Sequence, residues 1–566
     1  MSTPASTIKS SRLQDLIEKI RKQKEGEAGD HSTAVTASKE PAKIQEPSED
    51  PSSFRVIDRY GKEIILNDKQ SEFVKLAGTE GKSAVLIGAA GCGKSTTQYA
   101  VTQELIQSGR AGILLPDGHR HLIEGTPGIL ICAYTRRAVN NIRKNLPKDL
   151  QSNAITVHKL LEYQPVYDSV IDETTGEEKT KMSFVATRNA ANPLSPTIHT
   201  IIIEEASMLG TSLHQEIINA CPHNPQFIYL GDIQQLPPVF GPAILGFKLL
   251  ELPVIELTEV YRQALESPII SLAHRILSGK GIEAKEFPSW KHPSKLTLHP
   301  WKKKIDAENA LNTAVQFFCA AASSGVYDPE EDIILVPFNK SFGTVELNNG
   351  IANHLARRRS ARTYQVIAGF NKIHLSIGDK ILYDKEDAVI LSIEPNPAYS
   401  GARPVPDSLT LDYWGYDPEA SATSAAFSES DMDFLLSQVS STSSADEDSR
   451  VRQASHTVTV RMLDSETVIK LDKASELNGI LLGYALTVHK SQGSEWRKVF
   501  FVLHQSHATM ISRELLYTAV TRAREELYVI CEPESFVKGI QSQRVKGNTL
   551  AEKSEYFKGK LEAERN

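Results

Sequence analysis

Several features that place a chain outside the soluble globular class are absent from these 566 residues. No window contains the run of about 18 apolar residues that crosses a bilayer. The opening stretch, MSTPASTIKSSRLQD, lacks the apolar segment of a secretory signal. The five cysteines lie far apart and form no CxxC pair, which argues against a disulfide framework and a cysteine-based zinc site. We therefore expect a cytoplasmic protein with buried thiols and no membrane partner.

Basic residues are absent from residues 407–449, which contain ten carboxylates. The chain has a formal net charge of −7, so without those ten charges the remainder is mildly basic at +3. The stretch has too few apolar residues to offset its ordering entropy, and we expect a disordered insert. Two uses fit this composition equally: a polyanion that competes with nucleic-acid phosphates, or a spacer that repels itself and stays clear of any groove.

The sequence AVLIGAAGCGKSTT predicts a phosphate-binding loop between a strand and a helix. Glycines let successive backbone N–H groups converge on phosphate oxygens, and the helix N-terminus adds partial positive charge. In such a loop Lys94 reaches the β and γ phosphates, and the Ser95 hydroxyl ligates Mg²⁺. We expect the nucleotide to contact Gly88, Ala89, Ala90, Gly91, Cys92, Gly93, Lys94, Ser95 and Thr96.

Two later apolar runs end in polar residues suited to nucleotide hydrolysis. IIIEEAS places Glu204 and Glu205 at a strand end, where one carboxylate can hold Mg²⁺ and the next can orient a water molecule. GDIQQLPPV places Gln235 where it can sense the γ-phosphate. Without a phosphate loop, an acidic strand end would simply be solvated.

Further polar stretches contain residues suited to contact a nucleotide or a nucleic-acid strand. Gln70 has both an amide donor and an acceptor with which to read an adenine edge. AYTRRA and TVHKLL place hydroxyl and basic groups at strand ends, where they can hold the phosphates of a nucleic-acid strand. In the second half, ALTVHKSQGSE and YTAVTRAR combine glycine, hydroxyl groups and the arginines Arg522 and Arg524.

In this order, these elements resemble the superfamily 1 helicases, and more narrowly the RecD-like branch, superfamily 1B. The resemblance covers residues from about 55 to 535. It implies an α/β fold with two RecA-like P-loop NTPase domains, ATP and Mg²⁺ between them, single-stranded DNA across their tops, and 5′ to 3′ movement.

The resemblance also implies residue roles. Catalysis would involve Lys94, Glu205 as general base, Gln235, and the arginine fingers Arg262 and Arg522. Nucleotide contacts beyond the phosphate loop would be Gln70, Tyr261, Gly493 and Glu495, and Mg²⁺ would be held by Ser95 and Glu204. Contacts to single-stranded DNA would be Thr135, Arg136, Thr156, His158, Pro238, Thr487 and His489. The family usually has Asp at the position of Glu204 and Pro at that of Tyr134.

The expected domain organisation follows from the motifs and from composition. Residues 1–52 form a disordered tail, and residues 53–265 form the first RecA-like domain, with a β-hairpin pin insertion at 163–198 centred on residues 166–188. The second RecA-like domain combines residues 266–370 and 482–540. Residues 371–481 form an SH3-like β subdomain that carries the acidic insert, and residues 541–566 are a C-terminal tail.

The sequence therefore predicts a monomeric ATP-dependent DNA helicase that acts on single-stranded DNA and on forked or tailed duplexes. The two tails would bind proteins of replication, recombination or repair. The protein would be located in the host cytoplasm if a phage encodes it. Two alternatives stay open: an RNA or RNA–DNA hybrid helicase of the same superfamily, because the motifs grip the backbone, and a nucleic-acid-binding clamp that hydrolyses ATP weakly.

Overall fold

The computed structural model describes residues 54–57, 63–110, 128–171, 178–238, 243–260, 266–282, 291–292, 296–300, 306–339, 342–368, 371–383, 386–399, 453–463 and 466–565. The N-terminal tail, the acidic insert, Tyr261 and Arg262 lie outside these ranges.

The first half of the chain forms a six-stranded parallel sheet. Its strand order is β10-β3-β9-β8-β4-β5. The strands read as continuous apolar runs because both faces of the sheet are covered. Their bounds are β3 Ala84–Gly88, β4 Ile129–Ala133, β5 Ala154–Thr156, β8 Thr200–Glu204, β9 Gln226–Gly231 and β10 Val254–Leu257.

The second half forms another six-stranded sheet, in the order β11-β12-β23-β22-β13-β21. All of its pairings are parallel except that of β11 with β12. Apolar clusters cover both faces here as well. The bounds are β11 Lys291–His292, β12 Leu296–Pro300, β13 Ile333–Val336, β21 Ala485–Thr487, β22 Trp496–Val502 and β23 Ala523–Cys531. We call the two layered structures the first and second sheet units.

A five-stranded antiparallel sheet, in the order β19-β18-β17-β16-β20, adjoins the second sheet unit. Its strands are β16 Lys380–Tyr383, β17 Glu386–Pro395, β18 Gln453–Met462, β19 Val468–Lys473 and β20 Leu481–Leu482. Three two-stranded sheets complete the strands of the described ranges: β1 Arg55–Ile57 with β2 Glu63–Ile65, β6 Tyr163–Ile171 with β7 Glu178–Ala186, and β14 Thr363–Ala368 with β15 Asn371–Ser376.

Thirteen α-helices in the described ranges cover or connect these sheets. They are α1 Asp68–Phe73, α2 Lys94–Gln107, α3 Arg136–Asn145, α4 Val157–Leu160, α5 Thr211–Ala220, α6 Ile244–Glu251, α7 Pro268–Leu277, α8 Ala307–Ser324, α9 Thr344–Arg358, α10 Ala474–Asn478, α11 Arg513–Val520, α12 Pro533–Gln541 and α13 Leu550–Arg565. A π-helical segment, Val74–Thr79, continues α1, and 3-10 turns span Lys148–Asn153, Ala206–Met208 and Gln505–His507. Every helix in the described part of the chain is too short or too polar to traverse a bilayer.

The two parallel α/β sheets confirm the predicted fold class. The hairpin predicted around residues 166–188 is present as β6 and β7. The predicted boundary between residues 370 and 371 falls between β14 and β15, which pair with each other. Val366 and Ala368 of β14 pack in the core of the antiparallel sheet. All five cysteines are free thiols, and all except the half-buried Cys221 are buried. The C-terminal tail includes a helix, α13, that packs on the first sheet unit.

Candidate active site

The phosphate loop joins β3 to α2 at the carboxyl edge of the first sheet. Gly91 and Gly93 have φ values of 84° and 82°, a left-handed conformation that favours glycine. Lys94 Nζ donates to the carbonyl oxygens of Gly88 at 2.6 Å and Ala89 at 3.2 Å. These bonds fold the ammonium group back over the loop, and they place it within the same turn as the amides that would surround a phosphate.

Gln70 lies beneath this loop and is fully buried. Its Oε1 accepts from the Asn67 amide at 3.1 Å, and Asn67 Oδ1 accepts from the Gln70 amide at 2.9 Å, which forms a capping box at the start of α1. Its Nε2 donates to the Gly93 carbonyl at 3.3 Å. The structure thus shows Gln70 bound to the phosphate loop, and its reading of adenine stays a prediction.

Two carboxylates end β8. Burial, together with the neighbouring Glu205, raises the pKa of Glu204 to about 7, although Lys94 opposes that shift. Burial also raises the pKa of Glu205, and Arg522 and Lys94 counteract the rise. Glu205 has a left-handed φ of 50°, and its buried Oε2 has no hydrogen-bond partner among the described residues. A buried, unpaired carboxylate oxygen is suited to accept a proton from a water molecule.

The residues predicted for Mg²⁺ fit that ion by chemistry. Ser95 and Glu204 offer only oxygen ligands, which Mg²⁺ prefers, and a cation would offset the burial that raises the pKa of Glu204. Within the described ranges no cluster of three or more His, Cys, Asp or Glu side chains could hold a metal. The ion would therefore share its coordination with nucleotide phosphates.

The loop after β9, residues 232–236, carries Gln235 and is fixed at both ends. The Gln234 amide donates to Asp232 Oδ1 at 2.9 Å. At the other end, the Leu236 amide donates to Thr518 Oγ1 at 3.0 Å, and the Leu236 carbonyl accepts from Gln492 Nε2 at 2.8 Å. We call this segment the Gln235 loop. The second sheet unit thus holds it from across the cleft.

Helix α11 of the second sheet unit brings a tyrosine and an arginine to the cleft. The fully buried Tyr517 donates through its hydroxyl to Asp232 Oδ2 at 2.6 Å and accepts from the Ala90 amide at 2.7 Å. Arg522 follows the helix and is 5% exposed. Its guanidinium donates to the carbonyl oxygens of Thr518 at 3.0 Å and Ser494 at 3.1 Å. The predicted arginine finger is therefore held inside its own unit, close enough to affect Glu205.

Gly493 makes a close contact between the two units. Its φ of 72° is left-handed, and a Cβ atom there would lie 2.8 Å from Thr135 Oγ1. Asn141 Nδ2 donates to the Gly493 carbonyl at 3.3 Å. Glu495 is exposed and near enough to raise the pKa of Glu205. Both predicted residues thus lie beside the cleft.

Most residues predicted to touch DNA are buried in this arrangement. Thr135 and Thr156 cap α3 and α4, accepting from the Ala138 and Lys159 amides at 3.2 and 3.1 Å. Thr487 accepts from the Lys490 amide at 3.2 Å. Arg136, Pro238 and His489 are half-buried.

Of the two histidines predicted at the DNA path, His158 is enclosed by aromatic rings and His489 has a lowered pKa. His158 is 2% exposed and lies between the rings of Tyr134 and Tyr163, at centroid distances of 5.4 and 5.1 Å. Burial, with help from Arg544, lowers the pKa of His489 to about 4. His489 is therefore neutral at neutral pH and offers no positive charge to a phosphate. The DNA contacts of both histidines stay predictions.

Sequence reasoning missed a buried cluster that joins three parts of the structure. Arg137 of α3 pairs with Asp387 of β17 and lies 4.8 Å from the ring of Trp496 in β22. Trp496 Nε1 donates to Asp387 Oδ2 at 3.1 Å, and Lys380 Nζ lies 3.6 Å from the same carboxylate. Burial alone would raise the pKa of Asp387, but Arg137 and Lys380 hold it below its usual range. In the sequence, the AYTRRA stretch marks Arg137 as a polar residue near a strand end, but it does not indicate the pairing with Asp387.

Comparison with known proteins gives two domain matches. Residues 70–241 match the AAA domain family, and residues 482–530 match the UvrD-like helicase C-terminal domain family. An ATP-dependent RecD2 DNA helicase from Deinococcus radiodurans is 28% identical over 510 residues, covering 86% of this chain and 52% of that protein. A RecBCD enzyme subunit RecD from Buchnera aphidicola is 22% identical over 490 residues, covering 80% of this chain and 71% of that subunit.

The chain spans about half the length of the RecD2 relative. Among solved structures, a Pif1 helicase from Candida albicans has a TM-score of 0.44 at 15% identity, covering 88% of this chain and all of that one. A Bacteroides Pif1 helicase in complex with ADP-AlF3 and single-stranded DNA has a TM-score of 0.42 at 14% identity, with coverage of 82% and 92%. The domain matches and the RecD2 relative confirm the resemblance to superfamily 1B helicases.

Proposed function

From this resemblance we propose that the chain is an ATP-dependent DNA helicase that moves 5′ to 3′ along single-stranded DNA and unwinds forked or tailed duplexes. The observation that supports the proposal most directly is that the two sheet units contribute different residues to one cleft. The first sheet unit offers the phosphate loop and Glu205, and the second, which has no phosphate-loop sequence, offers Tyr517 and Arg522. A site shared by two units lets hydrolysis change the distance between them.

The residues of the cleft divide the work of hydrolysis. ATP with Mg²⁺ supplies the phosphoanhydride bond that is cleaved. Lys94 binds and neutralises phosphate charge, Gln235 contacts the γ-phosphate, and Glu205 takes a proton from the attacking water. Arg522 turns from its own unit toward the charge that develops in the transition state, which in other phosphate-transfer enzymes increases the rate by about 10³ to 10⁵. Arg262 lies outside the described residues, and its role as a second finger is proposed from the sequence alone.

The β6–β7 hairpin is proposed as the pin that separates strands. Its base is anchored in the first sheet unit: Tyr163 Oη donates to Glu216 at 2.6 Å, and Arg188 pairs with Glu162 at 2.9 Å. A rigid base lets the hairpin resist a duplex that is pulled against it.

The experiment that tests the function compares ATP hydrolysis with single-stranded DNA, with RNA and without nucleic acid. We expect stimulation by DNA, and unwinding of duplexes with a 5′ tail but not of those with only a 3′ tail. Lys94→Ala serves as the inactive control, and Lys75→Ala, an exposed lysine of the adjacent π-helical segment, as the matched active one. Stimulation by RNA alone would favour an RNA helicase. Tight DNA binding without stimulated ATP hydrolysis would favour a nucleic-acid-binding clamp. Unwinding only of duplexes with a 3′ tail would contradict the proposed 5′ to 3′ direction.

A further inference from the structure

The C-terminal segment crosses from the second sheet unit back to the first. Helix α12 ends the second unit, where Phe536 and Ile540 pack in its core. A few residues later, Val545 packs in the core of the first unit, and so does Phe557 of α13. Residues 544–565 therefore form a connection behind the nucleotide cleft, which we call the strap.

One end of the strap is fixed to the helix that supplies Tyr517. The Glu514 carboxylate accepts from the Arg544 amide at 3.1 Å and from the Val545 amide at 3.2 Å. Glu514 is 2% exposed and lies three and four residues before Tyr517 and Thr518 in α11. A buried carboxylate that accepts two main-chain amides holds the strap and α11 in one arrangement.

The other end of the strap reaches the Gln235 loop. Lys553 of α13 is 1% exposed, and its Nζ donates to the Ile233 carbonyl at 3.2 Å. Ile233 lies between Asp232, which binds Tyr517, and Gln235. Burial lowers the pKa of Lys553, and the carboxylates of Glu514 and Asp232 oppose that shift. A buried lysine costs stability unless it is hydrogen-bonded, so this contact is a specific one.

The strap also forms a wall of the cavity behind Gln235. Val545 and Phe557 line this small cavity together with Ser207 and Gln235. Ser207 Oγ and Gln235 Oε1 are buried and have no hydrogen-bond partner among the described residues. Phe557 lies so close to Gly246 of α6 that any side chain at that position would displace the ring.

We propose that the strap positions the Gln235 loop for ATP hydrolysis, and that Lys553 is the positioning residue, acting through the Ile233 carbonyl. This inference rests on the proposed helicase function. Lys553 touches neither nucleotide nor reacting atoms, so its loss lowers the fraction of time in which Gln235 is correctly placed. Its effect on kcat should accordingly be smaller than the loss of about 10² to 10³ that follows direct removal of a transition-state donor.

The test compares Lys553→Met, which keeps the apolar stem and removes the donor, with Lys558→Met, an exposed lysine of the same helix. We expect Lys553→Met to speed hydrogen exchange at the Gln235 and Leu236 amides about tenfold. It should lower the kcat of DNA-stimulated hydrolysis about tenfold and change KM for ATP and DNA affinity less than about threefold. Lys558→Met should change none of these.

Coupling to Gln235 separates positioning from a general structural effect. In a Gln235→Ala background, Lys553→Met should add little further loss of kcat, because Lys553 acts on hydrolysis only by positioning the Gln235 side chain, which is already absent. If Lys553→Met fails to fold, a second variant, Gly246→Ala, is available. Gly246 lies outside the strap, and a methyl group there would displace the ring of Phe557 within the strap. This variant should give the same changes in hydrogen exchange and in kcat. Unchanged exchange at the Gln235 loop, or losses that multiply independently, would overturn the inference. If the wild-type chain shows no DNA-stimulated hydrolysis, the proposed function is overturned instead. The hydrogen-exchange experiment would still show whether the strap positions the Gln235 loop.

Discussion

Tyr517 and Asp232 join the two sheet units through a hydrogen bond of 2.6 Å between side chains that are both buried. The same hydroxyl accepts from the Ala90 amide of the phosphate loop at 2.7 Å. Burial and the nearby Asp232 raise the pKa of Tyr517 well above its usual range, so the hydroxyl keeps its proton and remains a donor. The second unit therefore contacts the phosphate loop directly, and we expect Tyr517 to couple nucleotide binding to the separation of the units.

Replacing Tyr517 with phenylalanine should weaken that coupling. The change leaves the Asp232 carboxylate with one fewer donor in a buried site, at a cost of about 1–3 kcal/mol. If half of this cost falls on the arrangement of the two units used in hydrolysis, kcat drops about 2- to 13-fold. Steady-state ATP hydrolysis with saturating DNA measures the effect. Tyr528→Phe is the matched control, because it removes a tyrosine–carboxylate bond of the same length to Glu526, away from the cleft. Equal kcat losses in both variants would contradict a specific role for Tyr517.

The two carboxylates at the end of β8 should fail in different ways. Glu205→Gln keeps shape but removes the base, so ATP should still bind while hydrolysis falls by about 10² or more. Glu204→Gln should instead increase the Mg²⁺ concentration needed for half-maximal activity, because an amide oxygen is a weaker ligand than a carboxylate. Titrating Mg²⁺ at fixed ATP distinguishes the two. Wild-type behaviour of Glu204→Gln at limiting Mg²⁺ would show that Glu204 does not hold the ion.

His214 should contribute to acid sensitivity. Its Nε2 lies 2.7 Å from Tyr229 Oη, and burial, with Lys248 nearby, lowers the pKa of His214 to about 4. Between pH 6.5 and 4 the unfolded chain binds a proton at this residue that the folded protein does not, so stability falls as the pH falls through that interval. The loss from this residue alone is at most about 3 kcal/mol.

His214→Gln cannot be protonated, and it should therefore flatten the decline of the melting temperature between pH 6.5 and 4.5. Burial lowers the pKa values of His489 and His507 to about 4 as well, so part of the decline should persist. Thermal melts at several pH values measure the difference. His199→Gln, at an exposed side chain of the same sheet unit, is the control and should leave the wild-type profile unchanged.

The phosphate loop, the acidic strand end and the parallel sheets could be predicted because each is encoded in a short contiguous pattern. The apolar run before Gly88 specifies a buried strand, and the glycines after it permit the left-handed turn. Contacts between distant residues have no such pattern. The Arg137–Asp387 pair and the bond from Lys553 to Ile233 each join parts of the chain that are hundreds of residues apart.

Burial was equally difficult to infer at individual positions. His158 reads as a basic group at a strand end, but the rings of Tyr134 and Tyr163 enclose it. Gln70 reads as an amide available to an adenine edge, but its bonds to Asn67 and Gly93 hold it under the phosphate loop. In both cases the side chain's partners, and not its residue type, determine what it can touch.

The β6–β7 hairpin can be shortened without disturbing its base. Replacing residues 165–184 with a short Gly/Ser turn keeps the bonds from Tyr163 to Glu216 and from Arg188 to Glu162. We expect this variant to lose unwinding of a 5′-tailed duplex by about tenfold or more while keeping DNA-stimulated ATP hydrolysis within about twofold, because the cleft is built from other elements. Strand-displacement and hydrolysis assays on the same preparation measure both. Unwinding at the wild-type rate would show that strand separation occurs elsewhere.

Deleting the acidic insert, residues 407–449, tests whether its carboxylates compete with DNA. Although the insert lies outside the described residues, the strands that flank it are paired, with Pro395 of β17 opposite His456 of β18. Asn396 Nδ2 also donates to Gln453 Oε1 at 3.2 Å, so a short linker can close the gap. If the ten carboxylates compete with DNA phosphates, deletion should tighten binding of a labelled single-stranded oligonucleotide at low salt.

That gain should depend on ionic strength. A disordered insert, as the composition predicts, would be held at an effective concentration of about 1 mM, and screening would weaken its attraction to basic groups as the Debye length falls to about 6 Å or less at a few hundred millimolar salt. The difference in Kd between the two forms should therefore be largest at the lowest salt and should vanish as salt increases. An insert of unchanged length whose ten Asp and Glu residues are replaced by Asn and Gln is the control, because it keeps the linker and removes the charge; it should bind DNA as the deletion does. Equal affinities of the full chain and the 407–449 deletion at the lowest salt would identify the insert as a spacer, because a competing polyanion must act most strongly where screening is weakest.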